Sequence, residues 1–217
     1  MKLFLFHHCP FCVKAMMAAG YKKLDVEWVF LQNHDVDARI EKVGANMVPI
    51  LQKDDGSYMA ESLDIVAYLD AANSQVPAIA AAKHDQQIKQ WLSDSMPLIS
   101  PLLYPRWLEI ELPEFQSSEA TAWFTKNKTA LISMSFEEAL TCTPEFLTKV
   151  NSALTQLTWL ELPSVRNHQL SYDDINLYPF LRNLTVVKGI EFPSIVRQYI
   201  DEVTQLTGTP VYDNVAV

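Results

Sequence analysis

After Lys2 the first residues of the chain, Leu3-Phe4-Leu5-Phe6, are all apolar, and the run stops at His7. A short aromatic and aliphatic run of this kind predicts a buried strand over residues 2–6. Pro10 then reads as the first position of a helix, where its missing N–H costs nothing. Val13, Met16 and Met17 continue at helical spacing, and the pattern fades near Gly20. Residues 26–31 read as a second strand, and residues 36–43 as a short helix ending at Gly44. Met47-Val48-Pro49-Ile50-Leu51 predicts a strand that begins at a proline. Lys53-Asp54-Asp55-Gly56 is turn chemistry leading to another short strand at residues 57–59. Leu63, Ile65, Val66 and Leu69 mark a helix over 61–70. The order βαβ followed by ββα predicts one mixed sheet with helices packed on it.

Past residues 73–77 the strand signals nearly stop. Residues 84–217 carry helical periods, with helix starts at Leu112-Pro113-Glu114, Thr143-Pro144-Glu145 and Phe192-Pro193-Ser194. Pro97, Pro101 and Pro105 interrupt one long apolar segment, so the first helices of this region are expected to be broken or kinked. The predicted organisation is an α/β domain over 1–72, a linker over 73–83 and an all-α domain over 84–217. There is no internal repeat and no low-complexity tract.

Charge and composition remove several classes of function. The formal net charge is −9, which repels a phosphate backbone, so nucleic acid is not an expected partner. No apolar stretch approaches the roughly 20 residues of a membrane span. The apolar start is too short for a secretory signal, so a cytoplasmic location is expected. A stable structural disulfide is not expected in that compartment.

Two of the three cysteines stand in His7-His8-Cys9-Pro10-Phe11-Cys12-Val13-Lys14, directly after the first strand. Thiolate is the reactive form of cysteine, and the N-terminus of a helix favours it. Cys9 is placed for that role. Cys12 lies one turn further on the same face, where it can attack a mixed disulfide formed at Cys9. His7 and His8, if charged, would favour the thiolate further, and Lys14 more weakly. A zinc site needs about four ligands, and no second Cys-x-x-Cys or Cys-x-x-His follows, so no metal is expected. Residue 13 is Val, so the haem-attachment pattern is absent. Val48-Pro49, if cis, would present backbone to an extended peptide-like substrate. Glu61 and Ser62 at a helix start offer a site for a carboxylate, or a plain cap.

Taken together, Cys9-Pro10-Phe11-Cys12, Val48-Pro49-Ile50-Leu51 and Glu61-Ser62-Leu63-Asp64-Ile65-Val66 resemble the glutaredoxins. The later blocks Ser171-Tyr172-Asp173-Asp174-Ile175 and Phe180-Leu181-Arg182-Asn183-Leu184-Thr185 extend the resemblance over the whole chain. It is closest to the glutaredoxin 2 family, the large bacterial type built like a glutathione S-transferase. The resemblance implies a thioredoxin-like front domain, a helical rear domain like that of the transferases, and glutathione-dependent reduction of protein disulfides and glutathione mixed disulfides. It implies Cys9 as nucleophile and Cys12 as resolving thiol. Glutathione, the co-substrate, would be held by the Val48 backbone before a cis-Pro49 and by Glu61 and Ser62. The expected partners are glutathione and disulfide-containing or glutathionylated proteins, met by a monomer. Phe11 departs from the tyrosine usual in the family, which removes a hydroxyl near the thiols.

Two other functions share this plan. A conjugating glutathione transferase would activate the thiol of glutathione itself and has no use for a resolving Cys12. A non-catalytic scaffold would have no reason to keep the pair. Ser171 and Asp174 fit a capping box that serves folding. Cys142, with no cysteine or histidine within four residues, reads as a buried inert thiol. Trp91, Trp107, Trp123 and Trp159 sit at core-like positions.

Overall fold

The structure is a computed structural model that describes all 217 residues, and the chain divides into two compact units. The first comprises Met1–Ala78, Glu111–Phe124 and Thr207–Thr209. The second comprises Ile79–Ile110, Thr125–Leu206 and Pro210–Val217. Two later segments therefore belong with the front unit, although their sequence pattern places them in the helical region.

The front unit runs β1 (Lys2–Leu5), α1 (Pro10–Tyr21), β2 (Glu27–Phe30), α2 (Asp37–Val43), β3 (Ile50–Gln52), β4 (Tyr58–Met59) and α3 (Ser62–Ala71). These are the predicted elements, with ends displaced by one or two residues, as helix and strand ends commonly are. The sheet order is β2-β1-β3-β4. β1 pairs parallel to β2, and β3 pairs antiparallel to both β1 and β4. Leu3, Phe4, Leu5 and Phe6 are buried, as are nearly all residues of α1, which packs against α3. An apolar helix buried all round needs close neighbours, and Gly20 supplies one contact. A Cβ at Gly20 would stand 1.8 Å from the backbone oxygen of Thr207. Only glycine lets that backbone approach.

Lys22, just past α1, is almost fully buried. Its ammonium meets Asp70 Oδ1 at 3.1 Å and donates to the Val76 carbonyl at 2.9 Å. The Asn73 amide donates to the Lys22 carbonyl at 3.0 Å. A desolvated ammonium needs such partners, and here they hold the chain that leaves α3.

From Asp85 onward the elements are helical: α4 (Asp85–Arg106), a 3-10 turn at Pro113–Phe115, α5 (Ser118–Ile132), α6 (Phe136–Thr141), α7 (Thr143–Leu154), α8 (Tyr172–Leu184) and α9 (Ser194–Thr207). α4 is the spine of the second unit and packs on α6, α7 and α8. Of the expected break or kink, the break is absent: the helix passes through Pro97, Pro101 and Pro105 as one element. The prolines recur every four residues, so their missing donors fall along one stripe and the remaining i→i−4 bonds continue. The Ser171 hydroxyl accepts from the Asp174 N–H at 3.3 Å, and Asp174 Oδ2 accepts from the Ser171 N–H at 2.8 Å, which completes the predicted capping box. Arg166 adds two bonds of 2.9 Å to the same carboxylate. Trp91 and Trp107 are buried as expected, but Trp123 is exposed. Cys142 is half-buried rather than buried, because it lies at the junction where α6 ends and α7 begins.

Replacing Gly20 by alanine forces a methyl group into the Thr207 backbone, and overpacking of this kind costs about 1–3 kcal/mol. Urea unfolding of Gly20→Ala is expected to show a lower midpoint with an unchanged slope. An unchanged midpoint would mean that residue 207 is not held against α1.

Candidate active site

The strand directions decide where the site forms. β1 and β4 run the same way and β3 runs against them, so the ends of β1 and β4 and the start of β3 share one end of the sheet. Phe4 pairs with Ile50, which puts Val48 and Pro49 beside the stretch that leads from β1 to Cys9. β4 leads through Glu61 into α3 at that same end. The starts of α1 and α3 therefore converge on one edge. This brings Cys9, Cys12, Val48, Pro49, Glu61 and Ser62 to the same end of the sheet.

Cys9 is the N-cap of α1, with Pro10 at the first helical position. Its carbonyl accepts the first helical bond, from the Val13 N–H at 3.0 Å. The residue keeps part of its surface exposed. Cys12 has no exposed surface, and its sulfur accepts from the Phe6 N–H at 3.4 Å. Both thiols are free. They ionise unequally. A hydrogen bond from Cys12, and then the positive charge of His8 and the N–H groups of Cys12 and Phe11, outweigh burial and bring Cys9 down to about 7. Burial, with the hydrogen bond to Cys9 and the Cys9 charge behind it, pushes Cys12 well above the ordinary thiol range. As the pH rises through about 7, the first negative charge of the pair forms on Cys9.

His8 is buried and bound to a residue that the sequence pattern marks only as a helix start. Glu114 Oε1 accepts from the His8 backbone N–H at 3.1 Å and lies 2.6 Å from His8 Nδ1. Glu114 has no exposed surface. Burial raises its carboxyl, but the hydrogen bonds and charge of His8 overturn this and hold it below the usual carboxylate range. The His8 ring lies parallel to Phe6 at 6.0 Å and stacks on Phe115 at 5.3 Å, with Phe124 edge-on at 5.4 Å. The turn that carries Glu114 is tied to the loop after β2. The Asn33 N–H donates to the Glu114 carbonyl at 3.0 Å, and the Gln32 amide to the Pro113 carbonyl at 2.8 Å. With His8 and Glu114 106 positions apart, no local pattern could have joined them.

The Val48-Pro49 bond is cis, with Pro49 buried and Val48 half-buried. Glu61 is exposed and caps α3 with φ +67°, a left-handed backbone that few non-glycine residues adopt. Ser62 opens α3 and is half-buried. Phe11 is half-exposed, with the Lys14 ammonium 5.4 Å from its ring centre. No three His, Cys, Asp or Glu side chains are grouped so as to hold a metal ion.

Comparison with known proteins adds the family. Residues 3–77 match the glutathione S-transferase N-terminal domain, and residues 87–216 match "Glutaredoxin 2, C terminal domain". Glutaredoxin 2 of Escherichia coli K12 is 36% identical over 218 aligned residues, covering 100% of both chains. The chain belongs to the glutaredoxin 2 family. Glutaredoxins of this family are glutathione-dependent disulfide oxidoreductases, and this one is an enzyme of that class. Glutaredoxin 2 from Salmonella typhimurium, solved in complex with glutathione, superposes with a TM-score of 0.90 at 38% identity, over 100% of this chain and 98% of that one. A glutathione S-transferase from Ceriporiopsis subvermispora superposes at 0.70 with 15% identity, over 96% of this chain and 98% of that one, and so shares the fold.

For this glutaredoxin, alkylation by iodoacetamide followed by peptide mass mapping is expected to show Cys9 half-reactive near pH 7. Cys12 should stay silent well beyond the ordinary thiol range. A Cys9 midpoint at or above about 8.5, the value of a free thiol, would contradict this arrangement.

Proposed function

We propose that the protein reduces protein disulfides and glutathione mixed disulfides through the Cys9–Cys12 dithiol, with glutathione as co-substrate. The inequality of the two thiols carries this reading: an accessible sulfur poised to ionise near neutrality, and a sealed one that donates a hydrogen bond to it. A transferase that conjugates glutathione needs no second thiol.

In the monothiol reaction the Cys9 thiolate attacks the glutathione sulfur of a glutathionylated protein. The protein thiolate leaves and takes up a proton. A glutathione thiolate then attacks the glutathione sulfur on Cys9, releasing glutathione disulfide and restoring the Cys9 thiolate. In the dithiol reaction Cys9 attacks a protein disulfide and forms a mixed disulfide. Cys12 loses its proton and attacks the Cys9 sulfur, closing the Cys9–Cys12 disulfide and releasing the second protein thiol. Two glutathiones reopen it.

Glutathione has two carboxylates and an extended backbone. We assign the backbone strip to Val48, with Pro49 behind it, and the γ-glutamyl carboxylate to Ser62 and the free N–H groups that open α3. Glu61 accepts from the γ-glutamyl ammonium. The common sheet end supports this assignment, as does the glutathione bound to the Salmonella relative.

Cys9→Ser is expected to abolish all exchange activity in a glutathione assay coupled to a recycling reductase. Cys12→Ser should still reduce glutathione mixed disulfides but lose dithiol reduction of protein disulfides. Equal loss in both variants would overturn these roles. Ser62→Ala removes one hydroxyl and leaves the backbone donors, so glutathione use should weaken by about 1 kcal/mol, several-fold in KM. An unchanged glutathione dependence would move the anion site elsewhere. Robust conjugation of an aromatic electrophile, without mixed-disulfide reduction, would favour the transferase.

A further inference from the structure

Nothing in the exchange reaction by itself calls for a fully buried carboxylate in the front unit, yet Glu114 is one. Its Oε1 takes both donors that His8 can turn to it, the backbone N–H and ring Nδ1, while the buried Oε2 has no hydrogen-bond partner. Burying an acid with one oxygen unmet is costly, and an isolated buried ion pair rarely stabilises a fold more than apolar packing would. The position of the pair suggests a different return. His8 immediately precedes Cys9, and its ring is fixed between Phe6 and Phe115 and against the edge of Phe124.

We propose that the buried His8–Glu114 pair polarises the dithiol, keeping positive charge beside Cys9 and negative charge on the Cys12 side, so that Glu114 is a positioning residue acting through His8. The inference deepens the functional reading above and rests on it.

The charges act on different sulfurs. His8 is the residue whose positive charge favours the Cys9 thiolate, and the Glu114 carboxylate is among the groups that oppose ionisation of Cys12. Two other cations stand nearby. Lys14 on α1 interacts with the Cys9 charge, and the Arg39 guanidinium on α2 lies 5.2 Å from the centre of the Phe6 ring. Neither shares the short contact that ties His8 to Glu114. At 2.6 Å from Glu114 Oε1, His8 Nδ1 donates to the carboxylate, and this contact fixes the tautomer and the orientation of the ring. Without Glu114 the ring would lose the carboxylate that fixes it beside Cys9, and Cys9 would lose that support.

Glu114→Gln preserves the shape and an acceptor oxygen but removes the charge. In the otherwise native protein, the Cys9 alkylation midpoint is expected to rise from about 7 by about one pH unit. At pH 8, in a glutathione redox buffer, the Cys9–Cys12 disulfide should then be favoured about fivefold more than in the native protein, because the reduced form loses its stabilised thiolate. In a His8→Gln background no imidazolium remains to lose. There Glu114→Gln removes only a repulsive carboxylate, and the midpoint should stay or fall. This dependence on background separates an electrostatic role from a packing one, which would move Cys9 in the same direction in both. The same upward shift in both backgrounds, or no shift in folded Glu114→Gln, overturns the proposal. If Glu114→Gln fails to fold, His8→Gln alone decides, with a raised midpoint expected and an unchanged one overturning it. Native protein that failed to reduce mixed disulfides with glutathione would overturn the functional reading instead, since alkylation needs no turnover.

Discussion

A sulfur anion persists on a protein only where donors face it, and around Cys9 these are first the Cys12 thiol and then the free N–H groups at the start of α1. Pro10 begins the helix at no cost in hydrogen bonds, so Cys9 falls at the cap and the N–H groups of Phe11 and Cys12 are left for its sulfur. The same strand directions that deliver Cys9 there deliver Pro49 and the start of α3. A parallel β1–β2 pair followed by two antiparallel partners leaves little freedom in where these three pieces meet. Burial of α1 on nearly every side then holds the cap in place.

Much of this was legible in the residue pattern, because it is local. The apolar run at 3–6, the proline at the helix start, the two cysteines three apart and the turn at 53–56 each act within a few residues. The capping box at Ser171 and Asp174 belongs to the same class. What escaped the pattern depends on distant partners. Glu114 reads as an ordinary helix-start acid until the loop after β2 draws its backbone against Asn33. α4 reads as broken because a proline rule applied one residue at a time misses their four-residue spacing. Trp123 reads as core from its helical position and Cys142 as buried from its lack of nearby Cys or His partners, yet burial is decided by the face and the junction on which a residue falls.

The fold alone would not have separated two chemistries. A transferase at 15% identity shares the architecture, so the distinction lies in the site. There the informative residue is the less reactive thiol. Cys12 is sealed and reluctant to ionise, which makes it a poor nucleophile for anything except the sulfur one turn away. Phe11, half-exposed over Lys14, leaves the mouth of the site more apolar than a tyrosine would.

The composition of the front unit also bears on the order in which the protein can mature. Synthesis delivers residues 1–78 first, and they contain both thiols, the whole sheet and helices α1, α2 and α3. Yet Glu114, which anchors His8, and Thr207, whose backbone closes on Gly20, belong to the same unit and leave the ribosome much later. A nascent chain would therefore carry an unfinished redox centre through most of translation, with the His8 pocket open and one side of α1 uncovered. The surroundings of its reactive sulfur are complete only after Glu114 has emerged and closed on His8.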